Sequence, residues 1–551
     1  MGLIPKKESL LIEFKSDRKG GYPDSDLVEA VVAMANTEGG ELYLGVEDNG
    51  EITGLTKKHE DEIGLSSMIM NKIVPSLFVN AEIISDKSFN VMRIIIPKSK
   101  SIVATSSGKV LRRRLNSRGN PENIPMYPYE HTTRLSDLSL LDFSSQIIVK
   151  SSVDDFDQSE IARLRSLIKR SNGDEALLDL NDEELEKALQ LVKEEDGYLY
   201  PTVTGLLLVG KKEKINEYIP TSKAVFQVLE GTNIRKNDEY STSLLEMFEL
   251  FETNFDAWNP EHEVDEGLLR RSVPEFSKRA FREALVNAFC HRDYTMLGSV
   301  RVAIDDDGLT ISNPGGFVEG VTIKNLLTVE PQGRNKTLSD ALKRIGLAEK
   351  TGRGIDRIFE GSIIFGRPWP DYSESTNNKV KLFIQRSKPD FVFANMISEE
   401  EERTGRLLPI NSLLILSSIK FERRMNMKRI LEVTNIPESR AKATVEKLVE
   451  SGLLEGTGQG KNRNYILSAK FYKASKNELG YVRQTDIDKV RYEELILKLA
   501  RTKKEGIARK EVIQLLNISK DQAYRLLKRL IDEKKLIAVG SGRGTKYKEK
   551  N

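Results

Sequence analysis

Three segments of the chain carry most of the information: FREALVNAFCHRDY (residues 281–294), DDDGLTISNPGG (305–316) and TGRGIDRI (351–358). In the first segment Glu283, Asn287 and His291 recur every four residues, which places them on one stripe of a helix. Apolar residues between them are available for the core, so a polar stripe indicates a site. A carboxylate that activates water, an amide that meets hydrated Mg²⁺ and glycine turns that admit phosphate would account for the pattern.

Each segment also has an ordinary interpretation. An amphipathic helix with a polar end, followed by two glycine turns, would give similar letters, because single motifs are weak evidence. The three segments in this order, within about eighty residues, resemble the N-box, the adenine-site turn and the glycine-rich lid of the GHKL ATPase family. They are most similar to the branch labelled as a RecG helicase C-terminus.

The GHKL resemblance implies an ATP site and its residues. Glu283 would be the general base for hydrolysis, and Asn287 would meet Mg²⁺. The residues expected around the nucleotide are His291, Asn313, Gly315, Gly316, Gly352 and Gly354. Asn313 stands where the family has an adenine-reading aspartate, and its amide oxygen can still accept from the adenine amino group without bringing charge. This difference favours nucleotide binding over fast turnover.

Length and composition bound the class of protein. The 551 residues are 39% apolar and 30% charged, which is typical of a globular protein, and the length predicts about three to five domains. Cys290 is the only cysteine, so intramolecular disulfides and cysteine-based zinc clusters are excluded. The sequence has no run of eighteen apolar residues, no signal-peptide core and no P-loop motif. We therefore expect a cytoplasmic protein with no membrane partner and no P-loop motor.

The first 130 residues predict an α+β unit. The segment LLIEFK (10–15) alternates like a strand, DLVEAVVAMANT (26–37) has a helical stripe capped by Asp24 or Ser25, and ELYLGVEDNGEITGL (41–55) reads as a hairpin. The patterns E-x-x-x-x-E-F-K and N-T-x-G-G-x-L-x-x-G-V-x-D-x-G, separated by the helix, resemble the Schlafen-type, AlbA-like nucleic-acid-binding domain. The resemblance covers about residues 5–125.

In nuclease-active members of that family, three carboxylates form a metal-dependent RNA-cutting site. The resemblance carries this role to Glu8, Glu13 and Asp48, with Lys15 beside them, and implies Mg²⁺ or Mn²⁺. A spacing of five residues places Glu8 and Glu13 about 140° apart on a helix and on opposite faces of a strand, so they converge only if the chain bends. The alternative is a binding-only domain in which Asp48 starts a turn.

The segment KVLRRRLNSRGN (109–120) is the best candidate for a phosphate contact in this unit. Alternation in a strand places Arg112 and Arg114 on one face and Arg113 on the other, and Arg118 follows. Arginine binds phosphate bidentately, so we expect Arg112, Arg114 and Arg118 to contact a nucleic-acid backbone. A solvated strand edge is the alternative.

Residues 131–235 are interpreted as a connection and a scaffold. PMYPYEHTT (125–133) leads into the connection, and SEIARLRSLIKR (159–170) and DEELEKALQLV (182–192) are predicted helices. TVTGLLLVG (202–210) and KAVFQVLEG (223–231) are short apolar runs and are predicted to be strands. Further along, SESTNNKVKLFIQRS (373–387) is expected to complete the sheet of the ATP-binding module.

Residues 405–475 and 488–551 repeat one order of predicted elements: an opening helix, a short helix, another helix and a polar hairpin. Both copies resemble winged helix-turn-helix domains, with recognition helices beginning at Glu438 and Lys520. The resemblance implies nucleic-acid contacts from Arg440, Lys442, Gln522, Arg525 and Arg543. The chain from residue 501 to 551 holds 15 Lys and Arg against 6 Asp and Glu, which suits a polyanion. Winged helices also mediate protein contacts, and that alternative stays open.

The expected fold is multidomain α+β. It comprises a Schlafen/AlbA-like unit (1–130), a connecting scaffold (131–235), a GHKL-like α/β sandwich (236–395) and winged helices at 405–475 and 488–551. ATP and Mg²⁺ or Mn²⁺ are the expected cofactors, DNA or RNA is the expected partner, and the GHKL resemblance implies a homo-oligomer, at least a dimer. Two functions follow: an ATP-regulated, metal-dependent nuclease effector in stress or antiphage defence, or a nucleotide-responsive transcriptional regulator that cuts nothing.

Overall fold

The protein is a succession of helices and mixed sheets, and the expected multidomain α+β class is confirmed. The computed structural model describes residues 4–18, 20–86, 89–138, 140–266, 269–330, 332–349, 352–457, 463–468, 471, 492–503, 506–516, 520–539 and 545–549. Among the helices of these ranges, none has the length and apolar character needed to cross a membrane.

The N-terminal unit is an α/β unit around a four-stranded sheet. Its elements are β1 (Ile12–Lys15), α1 (Asp24–Ala35), β2 (Gly40–Leu44), α2 (Glu62–Asn71), β3 (Ile73–Val74), β4 (Asn80–Asp86), β5 (Phe89–Ile96), β6 (Ala104–Thr105), β7 (Leu111–Leu115) and β8 (Pro121–Pro125). The sheet order is β1-β2-β5-β4, and β1 runs parallel to β2, so a crossover is required and α1 supplies it. The predicted cap is wrong, because Pro23 precedes the helix and both Asp24 and Ser25 lie inside it.

The predicted turn at Asp48 is present, but the strand before it belongs to a larger sheet than a hairpin. Across the turn Val46 bridges Ile52, Glu47 N donates to Glu51 O, and Thr53 N donates to Gly45 O, the last two at 2.9 Å. Before the turn, β2 pairs with β1 on one side and β5 on the other. Leu42, Tyr43 and Leu44 are all buried. A strand that is buried on both faces takes neighbours on both sides, so the inside of the sheet is favoured over a two-stranded hairpin.

The next unit is mainly helical. Its elements are α3 (Pro128–Asp137), α4 (Gln158–Arg170), α5 (Asp182–Ala188), β9 (Val192–Glu195), β10 (Tyr198–Pro201), α6 (Val203–Val209) and α7 (Lys212–Tyr218). The segment interpreted as a connection therefore begins with a helix, for which Pro128 at the first position is well suited. The strand predicted at TVTGLLLVG is wrong: Thr202 caps α6 by accepting from Gly205 N at 3.0 Å, and every residue of the helix is buried. A continuous apolar run does not distinguish a buried helix from a buried strand.

The central unit is a five-stranded sheet covered by helices. Its elements are β11 (Ala224–Glu230), β12 (Asn233–Tyr240), α8 (Leu244–Trp258), β13 (Glu261–Glu266), β14 (Leu269–Pro274), α9 (Lys278–His291), β15 (Val300–Ile304), β16 (Gly308–Pro314), α10 (Lys336–Ile345), α11 (Gly354–Ile363) and β17 (Lys379–Gln385). The sheet order is β12-β11-β15-β16-β17, so β17 completes the sheet at one edge as predicted. Helices α8 and α9 pack together through the stacked rings of Phe255 and Phe281, whose centroids are 3.9 Å apart.

The C-terminal third contains the two copies of the predicted repeat. The elements are α12 (Phe391–Thr404), α13 (Ile410–Glu422), β18 (Met425–Asn426), α14 (Met427–Thr434), α15 (Glu438–Glu450), β19 (Leu454–Thr457), β20 (Asn464–Leu467), α16 (Tyr492–Thr502), β21 (Ile507–Ala508), α17 (Arg509–Leu516), α18 (Lys520–Asp532), β22 (Leu536–Val539) and β23 (Lys546–Glu549). Each copy has three helices and a three-stranded sheet in the same order.

The buried residues form separate hydrophobic clusters along the chain. One large cluster runs without interruption from Phe156 to Phe471, so the central unit and the first C-terminal copy share a core. The N-terminal unit and the last copy, from Leu495 to Tyr547, have clusters of their own. The first C-terminal copy is therefore part of the same packed body as the central sheet.

Candidate functional site

A cavity opens in the central unit between α9, strands β16 and β17, the loop after β16 and the start of α11. The space between these elements is about 1250 Å³ when the part open to solvent is counted. Seven of the eight residues predicted to form the ATP site line the cavity: Glu283, Asn287, His291, Asn313, Gly316, Gly352 and Gly354. Gly315 is not part of the lining and lies against Asp293 instead.

Helix α9 turns its polar stripe to the cavity because its opposite stripe is occupied. Ser277 caps the helix by accepting from Ala280 N at 3.3 Å. Phe281 and Phe289 then pack against α8. The polar stripe begins two residues after Phe281, about 200° around the helix, so packing of the aromatic side chains aims it at the cavity.

Glu283 is a carboxylate with little access to water. It is 8% exposed, and burial together with the charge of Glu349 raises its pKa to about 6, against the attraction of Arg282, Arg279 and Arg357. The carboxyl group is therefore largely ionised at pH 7 but close to its titration range. A group in this condition can accept a proton from water near neutral pH.

Glycine residues let the backbone form two walls of the cavity. A side chain at Gly354 would place its Cβ 2.9 Å from Glu283 Oε2 and 3.7 Å from Asn287 Nδ2. A Cβ at Gly316 would lie 2.4 Å from the carbonyl oxygen of Asn377. Gly352 has a φ of +74°, in the left-handed region that favours glycine. A larger residue at position 354 would fill the space between Glu283 and Asn287, and one at position 316 would push the loop after β16 away from Asn377.

The inner end of the cavity is apolar and almost dry. Asn313 is 3% exposed, and its Nδ2 donates to Pro314 O at 3.1 Å. Tyr372, which the sequence did not indicate, also lines this end, and burial raises the pKa of its hydroxyl. Cys290 is also buried, and burial raises the pKa of its thiol to about 12. This end suits a flat, uncharged ring.

The positive charge of the cavity comes from Lys343 and not from His291. Burial, with the charges of Arg334 and Lys343, lowers the pKa of His291 to about 4, so its ring is neutral at pH 7. Lys343, on α10, lines the same cavity, and its Nζ lies 3.3 Å from Asp340 Oδ1. No local pattern in the sequence distinguishes this lysine from an ordinary helix-surface lysine.

Arg334 is a third residue that sequence reasoning missed. Its side chain is 1% exposed. Its Nε donates to His291 O at 3.2 Å and its Nη2 to Gly316 O at 3.1 Å. The same guanidinium lies 2.5 Å from Asp137 Oδ1 and 3.7 Å from Asp293 Oδ2. Arg334 therefore joins the end of α9, the cavity wall and α3.

In the N-terminal unit, Glu13 is buried and already paired. It is 3% exposed, and its two carboxylate oxygens form ion pairs with Lys15 and Arg113. Arg113 also donates to Ser9 O at 3.0 Å and to Ile12 O at 3.1 Å. A divalent metal would have to displace both cations from Glu13, so this arrangement does not fit a metal site.

The other two predicted acids lie in different surroundings. Glu8 accepts from Phe14 N at 2.8 Å, and Asp48 is exposed at its turn. Within the described part of the chain, no group of three or more His, Cys, Asp or Glu could hold a metal ion. Glu8 and Glu13 approach each other around Arg113, on which the charge of Glu8 also acts. Metal binding by Glu8, Glu13 and Asp48 stays a prediction.

The predicted phosphate-binding arginines divide into two kinds. Arg112 and Arg114 lie on β7 and pair with Glu130 and Glu122, each at 2.6 Å. Arg118, in the turn between β7 and β8, is exposed, and its backbone N–H donates to Asn116. The surface predicted to bind phosphate is therefore partly neutralised by its own carboxylates.

The predicted contacts of the C-terminal copies lie on helix surfaces. Arg440 and Lys442 are exposed on α15, where Lys442 pairs with Glu438 at 2.6 Å. Arg525 is exposed on α18. The side chain of Gln522 and the whole of Arg543 lie outside what the structure describes.

Comparison with family models confirms the two modules expected at the front and centre of the chain. Residues 8–120 match the model described as Schlafen, AlbA_2, and residues 298–384 match that described as putative ATP-dependent DNA helicase recG C-terminal. Residues 133–224 match a domain of unknown function, DUF8451. The matches relate the chain to nucleic acids and to ATP.

Among solved structures, the chain is similar to the DIP2311 protein from Corynebacterium diphtheriae. The two are 20% identical, with a TM-score of 0.50 over 98% of this chain and 94% of that one, so the similarity concerns the fold. A MarR family transcriptional regulator from Silicibacter pomeroyi is 18% identical over 26% of this chain and 82% of its own, with a TM-score of 0.12. No match is found among curated proteins.

We expect Glu283→Gln to stabilise the nucleotide-free protein at neutral pH. The folded chain holds the Glu283 proton up to about pH 6, whereas the unfolded chain releases it near 4.5. Ionisation of Glu283 therefore lowers the free energy of unfolding as the pH rises through this window. The Gln variant, which cannot ionise, should be more stable than wild type by up to about 2 kcal/mol at pH 7.5 and equally stable at pH 4. Thermal unfolding at both pH values, with the exposed Glu213→Gln as control, measures this. A gain that is equal at both pH values would contradict the explanation.

Proposed function

We propose that this protein binds ATP and Mg²⁺ in the central cavity and binds nucleic acid under the control of that nucleotide. The similarities to a Schlafen AlbA_2 region and to a RecG C-terminal region support the two partners. The observation that carries the proposal is that both flanking parts of the chain contact the walls of the cavity.

The N-terminal unit reaches the cavity through α3 and the loop after β16. Asp137, at the end of α3, pairs with Arg334, which in turn holds the cavity wall. Further along the same loop, Glu319 pairs with Lys98 of the N-terminal unit at 3.1 Å and with Arg134 of α3 at 2.9 Å. A nucleotide that moves this loop would alter these contacts, and through them the N-terminal unit.

The first C-terminal copy reaches the cavity through α11, the helix that follows the glycine-rich lid. The segment that follows α11 is bonded to α13: Trp369, whose ring contacts Phe359 of α11, donates from Nε1 to Ser417 Oγ at 2.9 Å, and Lys420 Nζ donates to Gly366 O at 2.6 Å. Gly361 lets α11 lie close to α9, because a Cβ at this position would clash with α9. A shift of α11 on nucleotide binding would therefore be felt by α13.

Within the cavity, each lining side chain would have a role that its chemistry allows. Asn287 would hold Mg²⁺ through its amide oxygen, and the ion supplies charge that offsets the phosphates. Ionised Glu283 would accept a proton from water, and Lys343 would meet a phosphate oxygen. Asn313, at the apolar end, would accept from the adenine amino group, while neutral His291 would contribute a hydrogen bond without charge.

Of the two functions considered, we favour a nucleotide-responsive regulator over a nuclease effector. Lys15 and Arg113 neutralise Glu13, which suits a rigid binding surface better than a metal-dependent cutting site. Arg440, Lys442 and Arg525 would contact DNA from the C-terminal helices, in the manner of winged helices. Dimer formation, implied by the GHKL resemblance, completes the proposal.

Asn287→Ala is expected to lower the affinity for ATP in the presence of Mg²⁺ at least about tenfold, because the metal loses an oxygen ligand. Isothermal titration calorimetry with and without Mg²⁺ measures this, and Asn233→Ala, at an exposed position of β12, serves as a control of the same chemistry. If wild-type protein takes up no adenine nucleotide, the assignment of the cavity is wrong.

Asp137→Ala is expected to uncouple the nucleotide from nucleic-acid binding. In wild-type protein, saturating ATP and Mg²⁺ should change the affinity for a labelled oligonucleotide by about fivefold or more. In Asp137→Ala the oligonucleotide affinities with and without nucleotide should coincide while ATP still binds. The nucleotide effect in Asp137→Asn should lie between those of wild type and Asp137→Ala. Anisotropy titrations measure this, with the exposed Asp179→Ala as control. An undiminished nucleotide effect in Asp137→Ala would refute the coupling through α3.

Incubation of wild-type protein with labelled RNA or DNA and either Mg²⁺ or Mn²⁺ is expected to give no cleavage product. Electrophoresis of the substrate over several hours measures this, and Glu13→Gln provides the matched variant. Metal-dependent cleavage by wild-type protein that Glu13→Gln abolishes would reverse the choice and establish the nuclease.

A further inference from the structure

Two tyrosines lie side by side where the N-terminal unit passes into α3. Tyr127 immediately precedes the helix and Tyr129 is its second residue, and they are 46% and 57% exposed. Their rings are 13° from parallel, with centroids 6.3 Å apart. Exposed aromatic residues are ordinary when they occur singly. Two nearly parallel, half-exposed rings form a surface on which flat aromatic groups can stack.

Glu130 attaches this tyrosine pair to the arginine-bearing strand β7. Its carboxylate accepts from Tyr127 N at 2.8 Å and from the Tyr129 hydroxyl at 3.5 Å. The same carboxylate pairs with Arg112 of β7 at 2.6 Å. The position of the two rings relative to the β7–β8 hairpin is therefore held by hydrogen bonds and an ion pair.

The charge beside the rings is positive but small. The hydrogen bond to Glu122 is the main cause that raises the pKa of Arg114. Tyr127 and Glu130 raise this pKa further, so Arg114 lies near both of them. Arg118 lies in the turn at the opposite end of the β7–β8 hairpin from the rings; it is exposed and, among the described residues, makes no ion pair. Because Glu122 and Glu130 offset two of the three arginines, phosphate attraction alone would be weak here. Stacking would have to supply much of the affinity.

We infer that Tyr127 and Tyr129 form a stacking platform for unpaired bases of single-stranded nucleic acid, with Arg114 near its phosphates and Arg118 further along the same hairpin. This inference rests on the proposed nucleic-acid binding and adds its ligand class. Bases within a duplex are stacked on each other and cannot reach the rings, whereas every unpaired base offers a face. The platform therefore selects single strands over duplexes with little preference for sequence.

The platform also lies at one end of the helix that meets the nucleotide cavity at the other. α3 has ten residues and is about 15 Å long. The tyrosine pair lies at its N-terminal end, and its last residue, Asp137, pairs with Arg334. Bases on the platform and nucleotide in the cavity thus act on the two ends of one rigid element.

The experiment compares four labelled ligands: dT₁₂, rU₁₂, a twelve-residue abasic strand and a twelve-base-pair duplex. Full-length protein is titrated by fluorescence anisotropy with ATP and Mg²⁺ present. The two single strands should bind at least about tenfold more tightly than the abasic strand or the duplex, since each stacked base contributes about 1–3 kcal/mol. The double variant Tyr127→Ala with Tyr129→Ala should lose this advantage, and the matching double Phe variant should keep it.

The matched control is a second tyrosine pair away from any arginine hairpin. Tyr198 and Tyr200 on β10 have centroids 6.4 Å apart but rings tilted by 53°, and their double Ala variant should bind like wild type. Equal binding of the abasic strand, or undiminished binding by the Tyr127 and Tyr129 double Ala variant, would overturn the platform while leaving nucleic-acid binding in place. Failure of wild-type protein to bind any of the four ligands would instead overturn the proposed function, and the platform with it.

Discussion

The buried guanidinium of Arg334 is the interaction on which the centre of the molecule depends. Removing a cation from water is costly unless charges and hydrogen-bond acceptors replace the water, and Arg334 finds both in carbonyl oxygens and carboxylates of three separate segments. The planar, five-donor group suits this task better than a lysine would. The end of α9, the loop after β16 and α3 are consequently held in one arrangement. Displacement of any one of them would leave the buried guanidinium without one of its partners, which would cost stability.

The same exclusion of water shapes the electrostatics of the cavity. It raises the pKa of Glu283 and lowers that of His291, so both groups are biased towards their neutral forms by one cause. Arg279, Arg282 and Arg357 keep the carboxyl group ionised near neutrality. Among the residues that line the cavity, Lys343 is therefore outnumbered by the carboxylates of Glu283, Glu330 and Glu349.

Local patterns predicted most of what lies close together in sequence. The four-residue recurrence on α9 and the glycine turns predicted residues that the fold brings into one cavity, and β17 completes the sheet as its segment was expected to do. The failures involve longer range. The run TVTGLLLV is helical because it is surrounded by other elements, and the strand after the first helix joins the middle of a sheet. Arg334, Lys343 and Tyr372 carry no local pattern, because their importance comes from partners far away in the chain.

The carboxylates of the N-terminal unit show the same limit. Their order in the sequence matched a family pattern, but their order does not tell which cations lie next to them. Glu13 meets Arg113, one hundred residues away, through the packing of β1 on the segment around β7. A pattern of acids therefore indicates a candidate site, and only the surrounding fold indicates whether those acids are available to a ligand.

The independent core of the last C-terminal copy has an evolutionary consequence. Because Leu495 to Tyr547 pack among themselves, recombination can replace or duplicate that segment without unfolding the remainder. The preceding copy shares its interior with the central sheet and has no such freedom. Among homologues we therefore expect the tail to diverge or be exchanged, while the preceding copy changes in step with the body on which it is packed.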